Sequence, residues 1–255
     1  MGVREAVYSV YERRLQAQLT GLPVPHHIAI MIDGNRRWAR AAGFDDVSQG
    51  HVVGARHIAD LLGWCTEVGV AHVTIWLLST DNLRRPANEL EPLLQIITRV
   101  AEELASSGRP WRLNVVGALD LLPADTADAL KAAQERTQDR DGLNVNIAVG
   151  YGGRREIADA VRSLITEHAA AGTSMEELAE IIDVDHIADH LYTAGQPDPD
   201  LVIRTSGEQR LSGFLLWQSV HSEFYFCDAL WPDFRKIDFL RALRDFGLRQ
   251  RRFGA

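Results

Sequence analysis

The stretch IAIMIDGNRRWAR, residues 28–40, decides the fold because it joins a buried strand to a polar turn. An unbroken apolar run extends from Ile28 to Ile32, and such a run is typical of a strand covered on both faces. Asp33 and Gly34 follow at once, and the residues from Asn35 onward look like the start of a short helix. A buried strand, a polar turn and a helix make up the repeating unit of a parallel α/β sheet.

Similar units recur along the chain. Apolar runs predict strands at residues 27–32, 72–78, 112–116, 144–149 and 201–203. Helical spacing predicts helices at about 48–69, 88–106, 124–138, 152–170, 174–190 and 236–247. The predicted fold is therefore α/β, a single domain with a mostly parallel central sheet and helices on both of its faces.

Composition narrows the function classes. The chain has 255 residues and a formal net charge of −8, which argues against a general nucleic-acid binder, since such proteins need a basic surface. Cys65 and Cys227 fit neither a disulfide framework nor a four-ligand zinc site. We find no signal-peptide pattern and no apolar run long enough to cross a bilayer, so we expect a cytoplasmic location with at most a peripheral membrane contact.

Residues 1–25 are predicted to form an N-terminal helical extension, and residues 26–255 the main domain. Apolar positions such as Val7, Val10 and Leu15 alternate with charges at helical spacing, which indicates an amphipathic helix lying on the domain. A contact with a membrane surface or a partner is the alternative.

Polar clusters follow four of the predicted strands: DGNRRW, STDNLRRP, GYGGRRE and RTSGEQRLSG. In parallel α/β sheets, ligands bind outside the carboxyl ends of the strands. We therefore expect these clusters to converge at one edge of the sheet.

The first two clusters indicate an anion site. Asp33 would repel a bound anion unless a divalent cation such as Mg²⁺ joined them, and Arg36 and Arg37 would add positive charge. In the alternative, Asp33 caps a helix. The hydroxyl and amide groups of STDNLRRP could orient a polar substrate or form ordinary turns, with Arg85 as an anion clamp.

The later segments suggest different roles, and only some of them indicate a binding site. Arg204, Arg210 and nearby hydroxyl groups resemble a diphosphate cradle, although a structural salt-bridge loop would look similar. GYGGRRE completes no phosphate-loop pattern, so a tight strand-to-helix turn is the favoured interpretation. Glu223 could be paired structurally or bind a metal. The apolar face of residues 93–104 could pack in the core or line an apolar cleft.

Taken together and in order, the segments HIAIMIDGNRRWAR, LSTDNLRRP, AVGYGGRREI, DLVIRTSGEQRLSGFLLWQ and LWPDF closely resemble the cis-prenyltransferases, the family of undecaprenyl diphosphate synthase. The resemblance runs from about His26 to the final RRFG, so residues 26–255 would be the catalytic domain. It implies a homodimeric, Mg²⁺-dependent prenyltransferase that adds isopentenyl diphosphate to an allylic diphosphate and holds the growing chain in an apolar tunnel.

The resemblance also implies roles for individual residues. Asp33 and Asn82 would be catalytic, with Asn82 assisting proton removal from isopentenyl diphosphate. Asp33 and Glu223 would be the metal ligands. The implied substrate-binding residues are Gly34, Asn35, Arg36, Arg37, Trp38, His51, Ser79, Thr80, Asp81, Arg85, Arg204, Arg210, Leu211 and Ser212. Arg252 and Gly254 match an R-x-G motif that helps to complete a site across the dimer.

Three positions depart from the family pattern. Arg36 stands where many members have glycine. Asp45 and Asp46 lie near the place where long-chain members carry a phosphate-binding arginine. Gln209 occupies a position that is often histidine, which puts a metal role there in doubt.

Product length depends on Leu77, which falls where long-chain members have a small residue lining the tunnel. Its branched side chain should shorten the tunnel, and the chain resembles the actinobacterial short-chain type, the (2Z,6E)-farnesyl diphosphate synthases. We therefore expect one extension of geranyl diphosphate to (2Z,6E)-farnesyl diphosphate.

Several alternatives stay open. The first is a medium- or long-chain synthase making decaprenyl or undecaprenyl diphosphate. The second is a non-catalytic, prenyltransferase-like partner subunit. A nucleotide-binding dehydrogenase rests only on the fold and on GYGG.

Overall fold

The computed structural model describes residues 3–106 and 108–249. Its strands are β1 (His27–Met31), β2 (His72–Ser79), β3 (Arg112–Val116), β4 (Asn144–Tyr151), β5 (Leu201–Arg204) and β6 (Glu223–Phe226). Its α-helices are α1 (Val3–Leu19), α2 (Asn35–Ala41), α3 (Ser48–Glu67), α4 (Ala87–Ala105), α5 (Ala124–Glu135), α6 (Gly153–Ala170), α7 (Met175–Ile181), α8 (Val184–Ala188) and α9 (Lys236–Leu248). Short 3-10 helices lie at Asp81–Arg84, Leu119–Leu121 and Trp231–Asp233.

The strands form one sheet in the order β3-β4-β2-β1-β5-β6, and every neighbouring pair is parallel. Apolar side chains cover both faces. The larger hydrophobic cluster joins β1 and β2 to α3, α4 and α9, and a smaller one gathers Met31, Tyr151 and Phe214 on the opposite face. The predicted fold class is confirmed.

The strand order creates a crevice beside β1. The chain leaves β1 toward β2 on one side and leaves β5 toward β6 on the other, although β1 and β5 are neighbours. The segments that follow these two strands therefore diverge, and a gap remains at the carboxyl ends of the strands.

Two predictions about elements were wrong or incomplete. Strand β6 was not predicted. The single helix predicted at 174–190 is two helices, because the backbone is extended at Ile182 and at Asp183. The Asp183 carboxylate then accepts the His186 N–H at 3.0 Å and starts α8 anew.

Helix α1 packs against α9. Leu15 is 1% exposed in this contact region, Tyr11 accepts a hydrogen bond from Arg241 at 3.2 Å, and Lys236 pairs with Glu12 at 3.3 Å. The domain boundary near residue 25 stays a prediction. Among the described residues, we find no helix with the length and apolar character needed to span a membrane.

Candidate active site

A cavity of about 600 Å³ opens at the crevice. Charged and polar side chains line one part of it, and aliphatic side chains line the rest. The polar lining comprises Asp33, Asn35, Arg36, Arg37, Arg40, His51, Ser79, Asp81, Asn82, Arg85, Arg204 and Ser212. The aliphatic lining includes Ile58, Leu77, Leu78, Leu93, Ile96, Ile97 and Val100.

Asp33 lies two residues beyond β1, facing the end of β5. Its carboxylate accepts a hydrogen bond from Arg204 Nη2 at 2.9 Å, and its backbone N–H donates to the Thr205 hydroxyl at 2.9 Å. Burial raises the pKa of Asp33, but the hydrogen bond and charge of Arg204, together with hydrogen bonds from Ser206 and Gly34, hold that pKa below its usual value. Asp33 does not cap α2, whose N-cap residue is Gly34, so the helix-cap alternative is wrong.

Gly34 lets the turn after β1 pass close to Leu230. Its φ of 106° lies in the left-handed region. A Cβ there would come within 2.8 Å of Leu230 Cδ2 and 3.1 Å of Leu230 Cα. Any other residue at this position would push the turn away from its place beside Asp33.

Arginines supply the positive charge of the polar part. Arg36 pairs with Glu89 at 3.5 Å, and Arg37 donates to the Ser206 carbonyl at 3.2 Å. Burial lowers the pKa of Arg85, and the nearby charge of Arg36 lowers it further. Two cations held this close together favour an anionic ligand between them.

His51 lies beside the same two arginines and is neutral at pH 7. Burial lowers its pKa to about 4, with further contributions from Arg85 and Arg36. It can therefore offer an N–H to an oxygen without adding charge.

The second polar cluster lies at the end of β2. Ser79, Asp81 and Asn82 line the cavity, and the Ser79 hydroxyl accepts the Asn82 backbone N–H at 3.1 Å. Thr80 is not among the lining residues, and its backbone N–H donates to the Tyr151 carbonyl at 3.0 Å.

The third cluster follows β5. Arg204 is almost fully buried, and its Nη1 donates to the Ser212 hydroxyl at 2.9 Å. Arg210 has a side chain 63% exposed and pairs with Glu208. Leu211 packs against the smaller hydrophobic cluster. The structure therefore brings Arg204 and Ser212 to the cavity, and it leaves Arg210 at the surface beside it.

Two further predicted residues lie off the cavity lining. Trp38 stacks on Phe44 with ring centroids 5.9 Å apart. Glu223 begins β6 and pairs with Arg249 at 2.7 Å. It lies at the opposite end of the strands from Asp33, roughly 10 Å back along β6 from the carboxyl edge at about 3.3 Å per residue. Within one chain, Asp33 and Glu223 cannot share a metal ion.

A strand irregularity shapes the aliphatic part. Trp76 is opposite Ala148 and Leu78 is opposite Val149, so Leu77 is an extra residue in β2. Gly150 is then an extra residue in β4, which restores the register. Because the β2 bulge interrupts the alternation of side chains, Leu77 and Leu78 both line the cavity.

Sequence reasoning missed Arg40 and Thr205. Arg40 lies one turn beyond Arg36 on α2 and lines the cavity, so the i, i+4 spacing could have identified it. Thr205 is buried and bonds both the Asp33 N–H and the Asp33 carbonyl. A threonine after a strand gives no signal of such a role.

Two of the departures from the family pattern can be located in the structure. The Asp46 carboxylate accepts the Ser48 N–H at 2.9 Å, just before α3. It also lines a cavity of about 170 Å³ that adjoins the main one. Gln209 is exposed and lies outside the cavity lining. Arg252 and Gly254 lie outside the described residues.

The side chains around Asp33 determine whether Mg²⁺ could bind there. Among residues 3–106 and 108–249, we find no group of three or more His, Cys, Asp or Glu residues that could hold a metal ion. Asp33 nevertheless keeps a side chain 39% exposed to the cavity, and the buried Arg204 Nε has no hydrogen-bond partner. The exposed part of the Asp33 carboxylate could bind Mg²⁺ that takes its other ligands from substrate phosphates and water, and the Arg204 N–H could bind a phosphate oxygen.

The chain is similar to known prenyl diphosphate synthases. The family described as "Putative undecaprenyl diphosphate synthase" matches residues 30–254. A (2Z,6E)-farnesyl diphosphate synthase of Thermobifida fusca (strain YX) is 63% identical over 252 residues, covering 99% of this chain and 98% of that one. A short-chain Z-isoprenyl diphosphate synthase of Mycobacterium leprae (strain TN) is 54% identical over 254 residues, covering 99% and 97%.

Solved structures share the fold. Lavandulyl diphosphate synthase from Lavandula x intermedia, in complex with dimethylallyl diphosphate, has a TM-score of 0.84 and 36% identity over 91% of this chain and 99% of that one. A probable undecaprenyl diphosphate synthase from Campylobacter jejuni has a TM-score of 0.74 and 26% identity over 92% and 100%.

Proposed function

Because the chain belongs to the family of undecaprenyl diphosphate synthases, the cis-prenyltransferases, we propose that it is a short-chain Z-isoprenyl diphosphate synthase. It joins isopentenyl diphosphate to geranyl diphosphate and releases (2Z,6E)-farnesyl diphosphate and diphosphate. The names of the Thermobifida fusca and Mycobacterium leprae relatives support this product class.

The observation that carries the proposal is the division of the cavity into a cationic part and an aliphatic part. A prenyl diphosphate has the same division, with a charged head and an apolar tail. Leu77 and Leu78 fill the β2 side of the aliphatic part with two branched side chains. This narrowing supports a short product.

The cationic part would assist ionisation of the allylic substrate. In that step the C1–O bond breaks and the diphosphate takes the electron pair. Arg36, Arg85 and the neutral His51 line this part of the cavity, where they can stabilise the developing negative charge. Because they are held in place by α2, α3 and the 3-10 helix after β2, little reorganisation is needed.

Asp33 would hold Mg²⁺ together with substrate phosphate oxygens. Bound there, the ion would neutralise phosphate charge as the leaving group departs. Glu223 remains a predicted second ligand, and only through another chain, since in its own chain it lies at the opposite end of the strands from Asp33.

Arg204 and Ser212 would hold the diphosphate of isopentenyl diphosphate, with Arg210 closing over it from the surface. The C4 carbon of that substrate then bonds to C1 of the allylic cation, and a proton leaves C2. Asn82 lines the cavity, and it would orient the phosphate oxygen or water that takes this proton.

We also propose a homodimer, as the family resemblance implies. β6 is the edge strand of the sheet, its last residue Phe226 is 38% exposed, and Val220, shortly before the strand, is 71% exposed. An edge strand with apolar neighbours is suited to cover by a second copy.

The experiment is incubation of purified protein with Mg²⁺, labelled isopentenyl diphosphate and an allylic diphosphate of five, ten or fifteen carbons. Chromatography of the dephosphorylated products identifies primer and length together. We expect incorporation with the ten-carbon primer and a single fifteen-carbon product.

Other outcomes would select the alternatives. A ladder of much longer products would identify a medium- or long-chain synthase. No incorporation with any primer would contradict the enzyme assignment and favour a partner subunit.

A further inference from the structure

Trp76 is an aromatic side chain of the cavity to which the proposed reaction gives no role. It lies in β2, directly before the bulge at Leu77, and it lines the cavity. β2 is an inner strand of the sheet, between β1 and β4, so its backbone is covered on both sides. The exposed surface of this partly buried residue is therefore side-chain surface on the cavity.

The strand register places Trp76 near the groups assigned to isopentenyl diphosphate. Met31 is opposite Trp76 on one side and opposite Arg204 on the other. Residues that are opposite one another in parallel strands direct their side chains to the same face of the sheet, so these three share the face of the smaller hydrophobic cluster. Trp76 and Arg204 are two strand spacings apart, about 10 Å from backbone to backbone. A five-carbon chain whose diphosphate is held by Arg204 can therefore reach the indole.

Phe214 holds the indole in place. The two rings are stacked, with centroids 5.0 Å apart and planes 6° from parallel, and Tyr151 meets Trp76 edge to face at 6.4 Å. Phe214 and Tyr151 are both 0% exposed. Phe214 also lies two residues after Ser212, which accepts a hydrogen bond from Arg204. The indole is therefore fixed beside the site proposed for the diphosphate of isopentenyl diphosphate.

Packing alone does not explain a tryptophan at this position. The indole Nε1 of Trp76 is buried and has no hydrogen-bond partner among the described residues, and a buried donor without a partner destabilises the fold. A phenylalanine would keep the stack on Phe214 and avoid that cost. What the indole offers beyond a phenyl ring is a stronger attraction for a positive charge that lies over its face.

The proposed reaction produces positive charge on the substrate that lies near this ring. The electron pair of the C3–C4 double bond of isopentenyl diphosphate forms the bond to C1 of the geranyl group, and the diphosphate that leaves C1 keeps the C–O electron pair. C3 is then short of electrons until a proton passes from C2 to the phosphate oxygen or water beside Asn82, and the C–H pair forms the C2–C3 double bond. C3 belongs to the substrate assigned to Arg204 and Ser212, on the face of the sheet that carries Trp76.

We propose that Trp76 is a catalytic residue whose indole stabilises the positive charge at C3 of isopentenyl diphosphate by a cation–π interaction. The aliphatic side chains of Leu77 and Leu78 supply the neighbouring wall of the cavity, and they offer no such stabilisation. The inference rests on the proposed function, since it takes isopentenyl diphosphate as the substrate held by Arg204 and Ser212.

The first test measures recognition of the charge without turnover. It uses two analogues of isopentenyl diphosphate, one with a tertiary ammonium nitrogen in place of C3 and one with a saturated, neutral carbon there. Calorimetric titration with Mg²⁺, and with unreactive geranyl thiodiphosphate in the allylic site, gives a Kd for each analogue. The preference of the wild-type protein for the ammonium analogue, expressed as the ratio of the two Kd values, should fall roughly threefold in Trp76→Phe and roughly tenfold or more in Trp76→Leu.

Single-turnover kinetics give a second readout, which excludes product release. The rate constant should fall roughly threefold in Trp76→Phe and roughly tenfold or more in Trp76→Leu. The concentration of isopentenyl diphosphate that gives half of the maximal rate should change less than about threefold, because the charge develops only as the bond forms. Trp76→Phe keeps the stack on Phe214, so it decides the question even if Trp76→Leu does not fold.

Trp64→Leu is the matched control. Trp64 is also partly buried and contacts Phe239, with ring centroids 6.1 Å apart, but it lies outside the cavity lining. The control should leave the Kd ratio and the rate constant unchanged. Equal losses of affinity for both analogues, an unchanged Kd ratio or an unchanged single-turnover rate in the Trp76 variants would overturn the inference alone. A wild-type protein that binds neither analogue and forms no product would overturn the proposed function and the inference with it.

Discussion

Asp33 keeps its negative charge in a half-buried position because Arg204 lies against it. Burial raises the pKa of Asp33, yet Arg204 and the hydrogen bonds from Ser206 and Gly34 together keep it below its usual value. At pH 7 the residue is an anion, the form that can hold a divalent cation. One residue would thus supply the proposed metal contact, and it also holds Arg204 in place.

Asp33→Asn should test the metal contact with little change of shape. We expect kcat to fall by roughly 100-fold or more, because a charge that acts in the transition state is lost. The KM for geranyl diphosphate should change much less, since Arg36 and Arg85 remain. Steady-state kinetics across Mg²⁺ concentrations measure both. The control is Asp60→Asn, because Asp60 is an exposed residue on α3. If Asp33→Asn retained the wild-type kcat, Asp33 would not be the metal contact.

Leu77→Ala should lengthen the product. Removing the branched side chain from the bulge enlarges the aliphatic part of the cavity, so chains of twenty or more carbons should appear alongside the fifteen-carbon product. Product chromatography checks this. Ile75→Val removes volume from the same face of β2 outside the cavity lining, and it should leave the product unchanged. If Leu77→Ala gave the same product distribution as the wild-type protein, Leu77 would not limit product length.

Residue positions could be predicted where a polar cluster directly follows a strong apolar run. Asp33 and Arg204 come together because β1 and β5 both end there. Glu223 could not be placed in the same way, because β6 gives a weak pattern and its register decides which edge the acid faces. Local sequence carries no information about that register.

At the scale of elements, length and continuity decided what could be predicted. The longer helices α3, α4 and α6 have sustained apolar spacing and were predicted close to their observed limits. The bulge at Leu77 and the break at Ile182 are single-residue departures inside otherwise regular patterns. They arise from pairing with β4 and from the Asp183 cap, neither of which apolar periodicity reports.

The attachment of α1 gives a prediction at this scale. Leu15→Ala should lower the free energy of unfolding by about 2–4 kcal/mol, because its side chain is buried in the larger hydrophobic cluster. Val10→Ala, on the same helix but 63% exposed, should change it by less than about 0.5 kcal/mol. Urea unfolding measures both. Equal effects would mean that α1 does not pack on the domain in solution.

At the scale of the whole molecule, His27 ties the sheet to a surface loop. Its Nδ1 lies 2.7 Å from the Pro197 carbonyl, and its Nε2 lies 2.8 Å from the Thr74 hydroxyl. A carbonyl can only accept, so Nδ1 carries the proton and Nε2 accepts from Thr74. Asn146 Nδ2 completes the network by donating to Thr74 at 3.0 Å. The neutral ring is therefore fully satisfied.

This network predicts loss of stability in mild acid. Burial lowers the pKa of His27 from 6.5 to about 4. As pH falls below 6.5, His27 binds a proton in the unfolded chain but stays neutral in the native structure. The free energy of unfolding therefore decreases until the pH nears the native pKa of His27. The slope should be about 1.4 kcal/mol per pH unit for this group.

Urea unfolding between about pH 7 and pH 5 measures the decline. His27→Gln should reduce the slope by about 1.4 kcal/mol per pH unit, which corresponds to one proton, whatever its effect on stability at pH 7. The same slope in the wild-type protein and in His27→Gln would contradict the assignment.

The cavity is also a gap in the main hydrophobic cluster, because Leu78, Leu93 and Ile97 belong to that cluster and line the cavity as well. These side chains would gain contacts from a hydrocarbon chain bound in the cavity. A bound prenyl chain would complete the interior, so its binding energy would add to the stability of the fold. If the product has the longest chain that the cavity accepts, it would fill the cavity best and leave most slowly. We expect release of the product, rather than formation of the new bond, to limit the rate of turnover.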